Sequence, residues 1–113
     1  MSHDPQMLKG VLGLLLLNLV GEQEDYGYSI VLRLQGRGFA GLTEGTVYPA
    51  LSRLESNGFL GSRLVRSSSG PARKYYTLTD AGRTELARGS RAWHSLVAAV
   101  AQVLPPWPTR RPL

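Results

Sequence analysis

The chain of 113 residues has no cysteine and only two histidines. That scarcity removes disulfide frameworks, thiolate zinc sites, thiol redox chemistry and cysteine nucleophiles together. Metal-ligand spacing is missing, no paired carboxylates fall in a pocket-like pattern, and His94 lies far in sequence from the serine-rich stretch. Neither an enzyme nor a metal or cofactor is therefore expected. Long apolar runs are missing too: Val11 to Val20 is broken by Gly13 and Asn18 and reaches about half of the ~20 residues a bilayer needs. Asp4 precedes that run, Lys9 is the only basic residue near it, and Gly21-Glu22-Gln23-Glu24 offers no small-x-small cleavage site, so no secretory leader is expected. The reading is a cytoplasmic protein with no membrane partner.

Acid is scarce in the second half. Residues 1 to 60 carry Lys9, Arg33, Arg37 and Arg53 against six acids, a balance of −2, whereas residues 61 to 113 balance at +7 within a total of +5. Gly61 to Leu78 holds Arg63, Arg66, Arg73 and Lys74 with no acid at all. Such a stretch makes the local positive field that polyphosphates seek, and a solvated hairpin face is the plainer alternative. With 42% hydrophobic residues the chain can bury a core despite 13 Gly and 7 Pro, and its length allows one such core.

Asp4-Pro5 opens a first helix that should run to about Val20, because proline at the first helical position gives up only an amide that has no partner there. Leu8, Val11, Leu12, Leu14, Leu15, Leu16, Leu17 and Leu19 cover most of its circumference. It must be buried on two sides, and a second protomer is the simplest source of the other side. A second helix is expected near Tyr26 to Gln35, with Ile30, Val31 and Leu34 inward. Gly36-Arg37-Gly38-Phe39-Ala40-Gly41 satisfies G-x-G-x-x-G but follows a helix, so it reads as an interhelical turn and not as a dinucleotide loop. Val47, Ala50, Leu51 and Leu54 mark a third helix stopping at Asn57-Gly58. Thr43 or Thr46 can cap it; a Thr43 start is favoured, at the cost of an intrahelical bond at Pro49.

Gly61 to Arg66, a loop over Ser67-Ser68-Ser69-Gly70-Pro71, and Ala72 to Leu78 read as a basic two-stranded hairpin. Thr79-Asp80 opens a fourth helix in which Leu86, Trp93, Val97, Val100 and Leu104 lie close to a coiled-coil seam, and a lone helix with such a seam needs a partner. Residues 105 to 113, with four prolines, should form an extended, mobile tail. Three short helices followed by a hairpin is the order of a winged helix-turn-helix. The expected class is mainly α with a small β-hairpin: a DNA-binding domain over 1–78, a dimerisation helix over 79–104 and the tail.

These elements carry familiar pieces: Leu8-Lys9-Gly10 before an apolar helix, Tyr26-Gly27-Tyr28-Ser29-Ile30, Glu44-Gly45-Thr46-Val47-Tyr48-Pro49-Ala50-Leu51, Arg53-Leu54-Glu55 with Gly58, and Gly70-Pro71-Ala72-Arg73-Lys74-Tyr75-Tyr76-Thr77-Leu78-Thr79 with Gly82. In that order and spacing, over residues 7 to 88, the chain resembles the PadR family of bacterial transcriptional regulators, in its short subfamily. The resemblance implies a homodimer that occupies an operator in double-stranded DNA as a repressor and leaves it when a small planar aromatic effector binds. It implies a DNA-binding set of Lys9, Thr43, Thr46, Tyr48, Pro49, Arg53, Arg73 and Lys74. It implies an effector cavity at Gly13, Leu14, Leu17, Trp93 and Val97, and dimerisation through Leu86, Trp93, Val97, Val100 and Leu104. Two readings stay open for Tyr48, core packing or base contact, and two for Trp93, interface packing or ligand sensing. The chain departs from the family at Gly13, at its three wing serines and at Ala72, which puts the wing contacts in question. A ligand-binding or protein-interaction module that uses the fold without DNA is the alternative.

Overall fold

The computed structural model describes residues 3–108. Helix α1, Pro5–Glu22, starts where the sequence places it: Asp4 Oδ1 accepts from the Gln6 and Met7 amides at 2.9 and 3.1 Å, supplying two of the partners a helix start lacks. It buries Leu12, Leu16, Leu17, Leu19 and Val20 against the rest of the domain. Its other side, where a second protomer was expected, meets the chain's own last helix: a Cβ at Gly89 would lie 2.8 Å from Leu14 Cδ1.

Strand β1, Asp25–Tyr26, was not anticipated, and it takes Tyr26 out of the expected second helix, α2, which spans Gly27–Gln35. Buried Asp25 organises this junction. Its carboxylate accepts from the Tyr26 amide at 3.0 Å, Ser29 Oγ at 2.6 Å and Arg33 at 3.2 Å, while Arg33 also donates to the Leu19 carbonyl at 2.8 Å. A buried charge is tolerated when it is paired and hydrogen-bonded in this way, and here it ties the end of α1 to α2. The glycine cluster forms the expected turn, with Gly38 at φ +104°, a conformation that suits a residue without Cβ.

Helix α3, Glu44–Ser56, begins after Thr43, whose backbone is extended and whose carbonyl accepts from both Thr46 and Val47. Pro49 therefore sits inside the helix, with no N–H to offer the Gly45 carbonyl. Strands β2, Leu60–Ser67, and β3, Gly70–Leu78, form the hairpin, and β1 adds to the far side of β3 to give a three-stranded antiparallel sheet in the order β1-β3-β2. The sheet is not two-stranded, and the expected five-residue loop shrinks to Ser68-Ser69, since Ser67 pairs with Gly70.

Helix α4, Asp80–Val103, is capped by Thr79, whose hydroxyl accepts from the Gly82 amide and donates to the Gly58 carbonyl. Its first turns pack on the domain, and residues 91–108 are all exposed. Leu86, expected on the dimerisation seam, is half-buried and packs against the core of its own chain. Residues 105–108 have no regular structure, and the rest of the expected tail, 109–113, lies outside the described residues. Among the described residues, no helix is long and apolar enough to cross a membrane, and no His, Cys, Asp or Glu cluster suited to a metal ion occurs.

Candidate nucleic-acid interface

Helix α3 presents three edges. Val47, Ala50 and Leu51 face the core. Exposed Gly45 and Pro49 face outward, with the Gly45 carbonyl left without a donor from Pro49. Tyr48 and Glu55 lean toward the hairpin, whereas Thr46 and Arg53 lie on the flank toward α1, where Lys9 also sits. Thus Thr43, Thr46, Tyr48, Pro49 and Arg53 are all solvent-accessible along one helix, with no side chain among them buried.

Tyr48 is 41% exposed, so it is neither a core residue nor a free one. Its ring lies over the start of α2, where a Cβ at Gly27 would come within 2.9 Å of Tyr48 Cε1. Burial of the ring, followed by the Glu44 carboxylate, raises the hydroxyl's pKa above its ordinary value, so it remains a proton donor. Tyr26, Tyr28, Tyr48, Tyr76, Arg73 and Lys74 line one cleft of about 250 Å³ between α2, α3 and the hairpin. Tyr28, half-exposed in this cleft, was missed from the sequence; its alternation with Tyr26 was the available signal.

The hairpin's four cations are not equivalent. Arg63 pairs with Glu24 at 2.9 Å and Lys74 with Glu55 at 2.7 Å. The Lys74 ammonium, with Ser62, holds the Glu55 carboxyl below its usual pKa, and Glu55 in turn raises that of Lys74. Arg73 stacks over the Tyr26 ring at 4.4 Å, and Tyr26 meets Tyr75 at 5.4 Å, which aims the guanidinium without neutralising it. Among the described residues, Lys9, Arg53, Arg66, Arg73 and Arg91 have no acidic partner. Of these, Arg66 and Arg73 lie on the hairpin, Arg53 on α3 and Lys9 on α1, and Arg91 stands apart on α4.

On the α1 flank of α3, away from the hairpin, α1, α3 and α4 enclose an open groove of about 840 Å³, and Lys9, Thr46 and Arg53 stand on its wall. Gly13, Leu14, Leu17 and Trp93 line it as expected, but Val97 does not; it stands one turn further along α4. The apolar stripe on α4 is wider than the expected seam, because Leu96 and Val103 join Trp93, Val97, Val100 and Leu104. Exposure along the stripe rises from 43% at Trp93, which borders the groove, to 81% at Val103.

Comparison with known proteins agrees with this architecture. The model of the transcriptional regulator PadR-like family matches residues 16–88. A transcriptional regulator of Mycobacterium tuberculosis is 35% identical over 85 residues, covering 75% of this chain and 78% of that protein. Among solved structures, a PadR-like transcriptional regulator from Bacillus cereus superposes with a TM-score of 0.80 at 36% identity, covering 90% of this chain and 99% of that one. One from Eggerthella lenta does so with a TM-score of 0.80 at 33% identity, over 90% and 88%. The exposed α3, the basic hairpin beside it and the long α4 therefore form a winged-helix transcription regulator, and the chain belongs to the PadR-like family.

Proposed function

We propose that the protein is a sequence-specific repressor that binds operator DNA in the cytoplasm as a homodimer and is released by a small planar aromatic effector. The observation that carries this reading is the exposed edge of α3 flanked by cations without acidic partners. Thr43, Thr46, Tyr48, Pro49 and Arg53 lie where a helix in the major groove meets base edges and adjacent phosphates, and Arg73 and Lys9 flank them toward the backbone. Lys74 stands on the same hairpin. Helix α3 itself carries Glu44 and Glu55 against Arg53, so phosphate neutralisation falls mainly to the hairpin.

A second copy covers the α4 stripe: Trp93, Val97, Val100 and Leu104, with Leu96 and Val103, repeat at the three- and four-residue steps that pair helices. Effector binding is assigned to the groove at Gly13, Leu14, Leu17 and Trp93, whose apolar walls and indole suit a planar ring.

The test is a titration of fluorescent duplex from the region upstream of the protein's own gene, at several salt concentrations. Tight binding with a log-log salt slope of about −0.9 per phosphate neutralised is expected. Arg73→Ala should weaken all sequences alike and flatten that slope, while Thr46→Val should change the preferred base. Absence of binding at low salt removes the reading. Quenching of Trp93 by planar aromatics without any duplex binding would support the alternative, a ligand-binding module without DNA.

A further inference from the structure

Among the hydrogen bonds of the described residues, one carboxylate joins α3 to both strands of the hairpin. Glu55, in the last turn of α3, accepts from Ser62 Oγ on β2 at 2.5 Å through Oε2 and from Lys74 Nζ on β3 at 2.7 Å through Oε1. Ser62 and Lys74 are neighbours across the ladder, since Ser62 faces Tyr76 and Leu64 faces Lys74. The Lys74 ammonium also lies 5.2 Å from the ring of Tyr76, which is buried in the core. The Glu55 side chain is 30% and the Lys74 side chain 47% exposed, so solvent screens the pair and its worth lies in direction more than in strength. Two donors from two strands on one carboxylate fix that direction.

We propose that Glu55 is the positioning residue of the DNA-binding surface, clamping Ser62 and Lys74 so that the hairpin meets the backbone at a fixed angle to α3. Lys74 then acts through Glu55 and is not a phosphate contact; Arg66 and Arg73, which have no acidic partner, take the phosphates. The inference rests on the DNA-binding reading above. Its physical basis is a division of labour: phosphate contacts fix orientation and base contacts carry sequence information. An error in the angle between hairpin and α3 harms a complex that needs both sets at once, whereas non-specific binding readjusts its register freely. Moving Lys74 onto a phosphate would instead leave the Glu55 carboxylate uncompensated beside that phosphate, with like charges in contact.

The experiment compares wild type, Glu55→Ala, Lys74→Gln and Lys74→Arg by fluorescence anisotropy, each checked for folding by thermal melting. Two probes are used, a duplex enriched by the wild-type protein from a randomised library and poly(dI-dC), over a range of salt. Glu55→Ala and Lys74→Gln should each lower the ratio of specific to non-specific affinity by about tenfold, the size of one mismatched base pair. Lys74→Gln should leave the salt slope unchanged, Glu55→Ala should steepen it by up to about 0.9 per protomer as Lys74 is freed, and Lys74→Arg should restore the ratio. The proposal is overturned if Lys74→Gln weakens both probes equally and flattens the slope by about 0.9 per protomer, or if Glu55→Ala keeps the wild-type ratio. Should Glu55→Ala not fold, Glu55→Gln, of equal volume, is held to the same ratio criterion. A wild-type protein that binds neither probe at low salt refutes the DNA-binding reading itself, a distinguishable failure.

Discussion

Replacing Gly82 with Ala tests how α4 is seated on the domain. A Cβ at that position would stand 2.0 Å from the Phe59 carbonyl oxygen, 3.0 Å from the Phe59 carbonyl carbon and 2.7 Å from Leu78 Cδ1. A carbon and an oxygen in contact need more than 3 Å, so the start of α4 and the α3 to β2 connection must part by about 1 Å. The Phe59 carbonyl is no flexible side chain: it accepts the Thr79 amide at 3.2 Å, and Thr79 caps α4 through Gly82. Because backbone must yield and a cap is strained with it, the cost falls at the top of the overpacking range, about 3 kcal/mol. For a domain of this size that lowers the melting temperature by roughly 12 °C or more. The assay is thermal unfolding by circular dichroism at one fixed protein concentration, since association would otherwise shift the midpoint. Gly10→Ala is the control: no atom lies within 4 Å of a Cβ there, and alanine in the α1 interior should stabilise by about 0.5 to 1 kcal/mol. A Gly82→Ala protein that melts with the wild type would refute the reasoning. A folded variant with weakened operator binding would support it, because in the proposed dimer the direction of α4 sets the spacing of the two copies of α3.

Gly27→Ala should push the Tyr48 ring off its seat, costing about 1 kcal/mol or less because a side chain can move, while lowering duplex affinity measurably by anisotropy. Val100→Asp places a charge in the exposed α4 stripe and, on the proposed dimer, should halve the mass seen by sedimentation while leaving the domain's melting cooperative, since its own core does not use that residue. The depressed Glu55 pKa gives a pH signature: its stabilising share is complete above the ordinary carboxylate value and is lost as pH falls through the lower, folded value. The melting difference between wild type and Glu55→Gln should therefore be constant near neutrality and vanish in strong acid; a difference that persists there contradicts the pairing.

Local chemistry made much of this molecule legible. Asp4-Pro5 and Thr79-Asp80 mark helix starts because capping is decided within a few residues, and α3 begins after Thr43, the favoured of two candidate starts, although the Thr43 side chain makes no cap hydrogen bond. Strand β1 was invisible because two residues carry no periodicity; Asp25 and Tyr26 become a strand only when Tyr76 and Tyr75 arrive from fifty positions away. Leu86 was assigned to the seam because spacing alone does not separate a residue facing its own core from one facing solvent, and the same narrow seam missed Leu96 and Val103. The Lys74 to Glu55 pair spans 19 positions, and a charge count of the hairpin by itself leaves out the acid that lies across space.

The strand order has a consequence for how the chain is made. The middle strand, β3, is the last of the three to leave the ribosome, so β1 and β2 must both wait for it. At ordinary translation rates Tyr26 emerges roughly 3 to 10 s before the Tyr75 with which it pairs. A nascent chain that has produced all three N-terminal helices still has no sheet, and one cut short before residue 70 never closes the side of the core that Tyr76 covers.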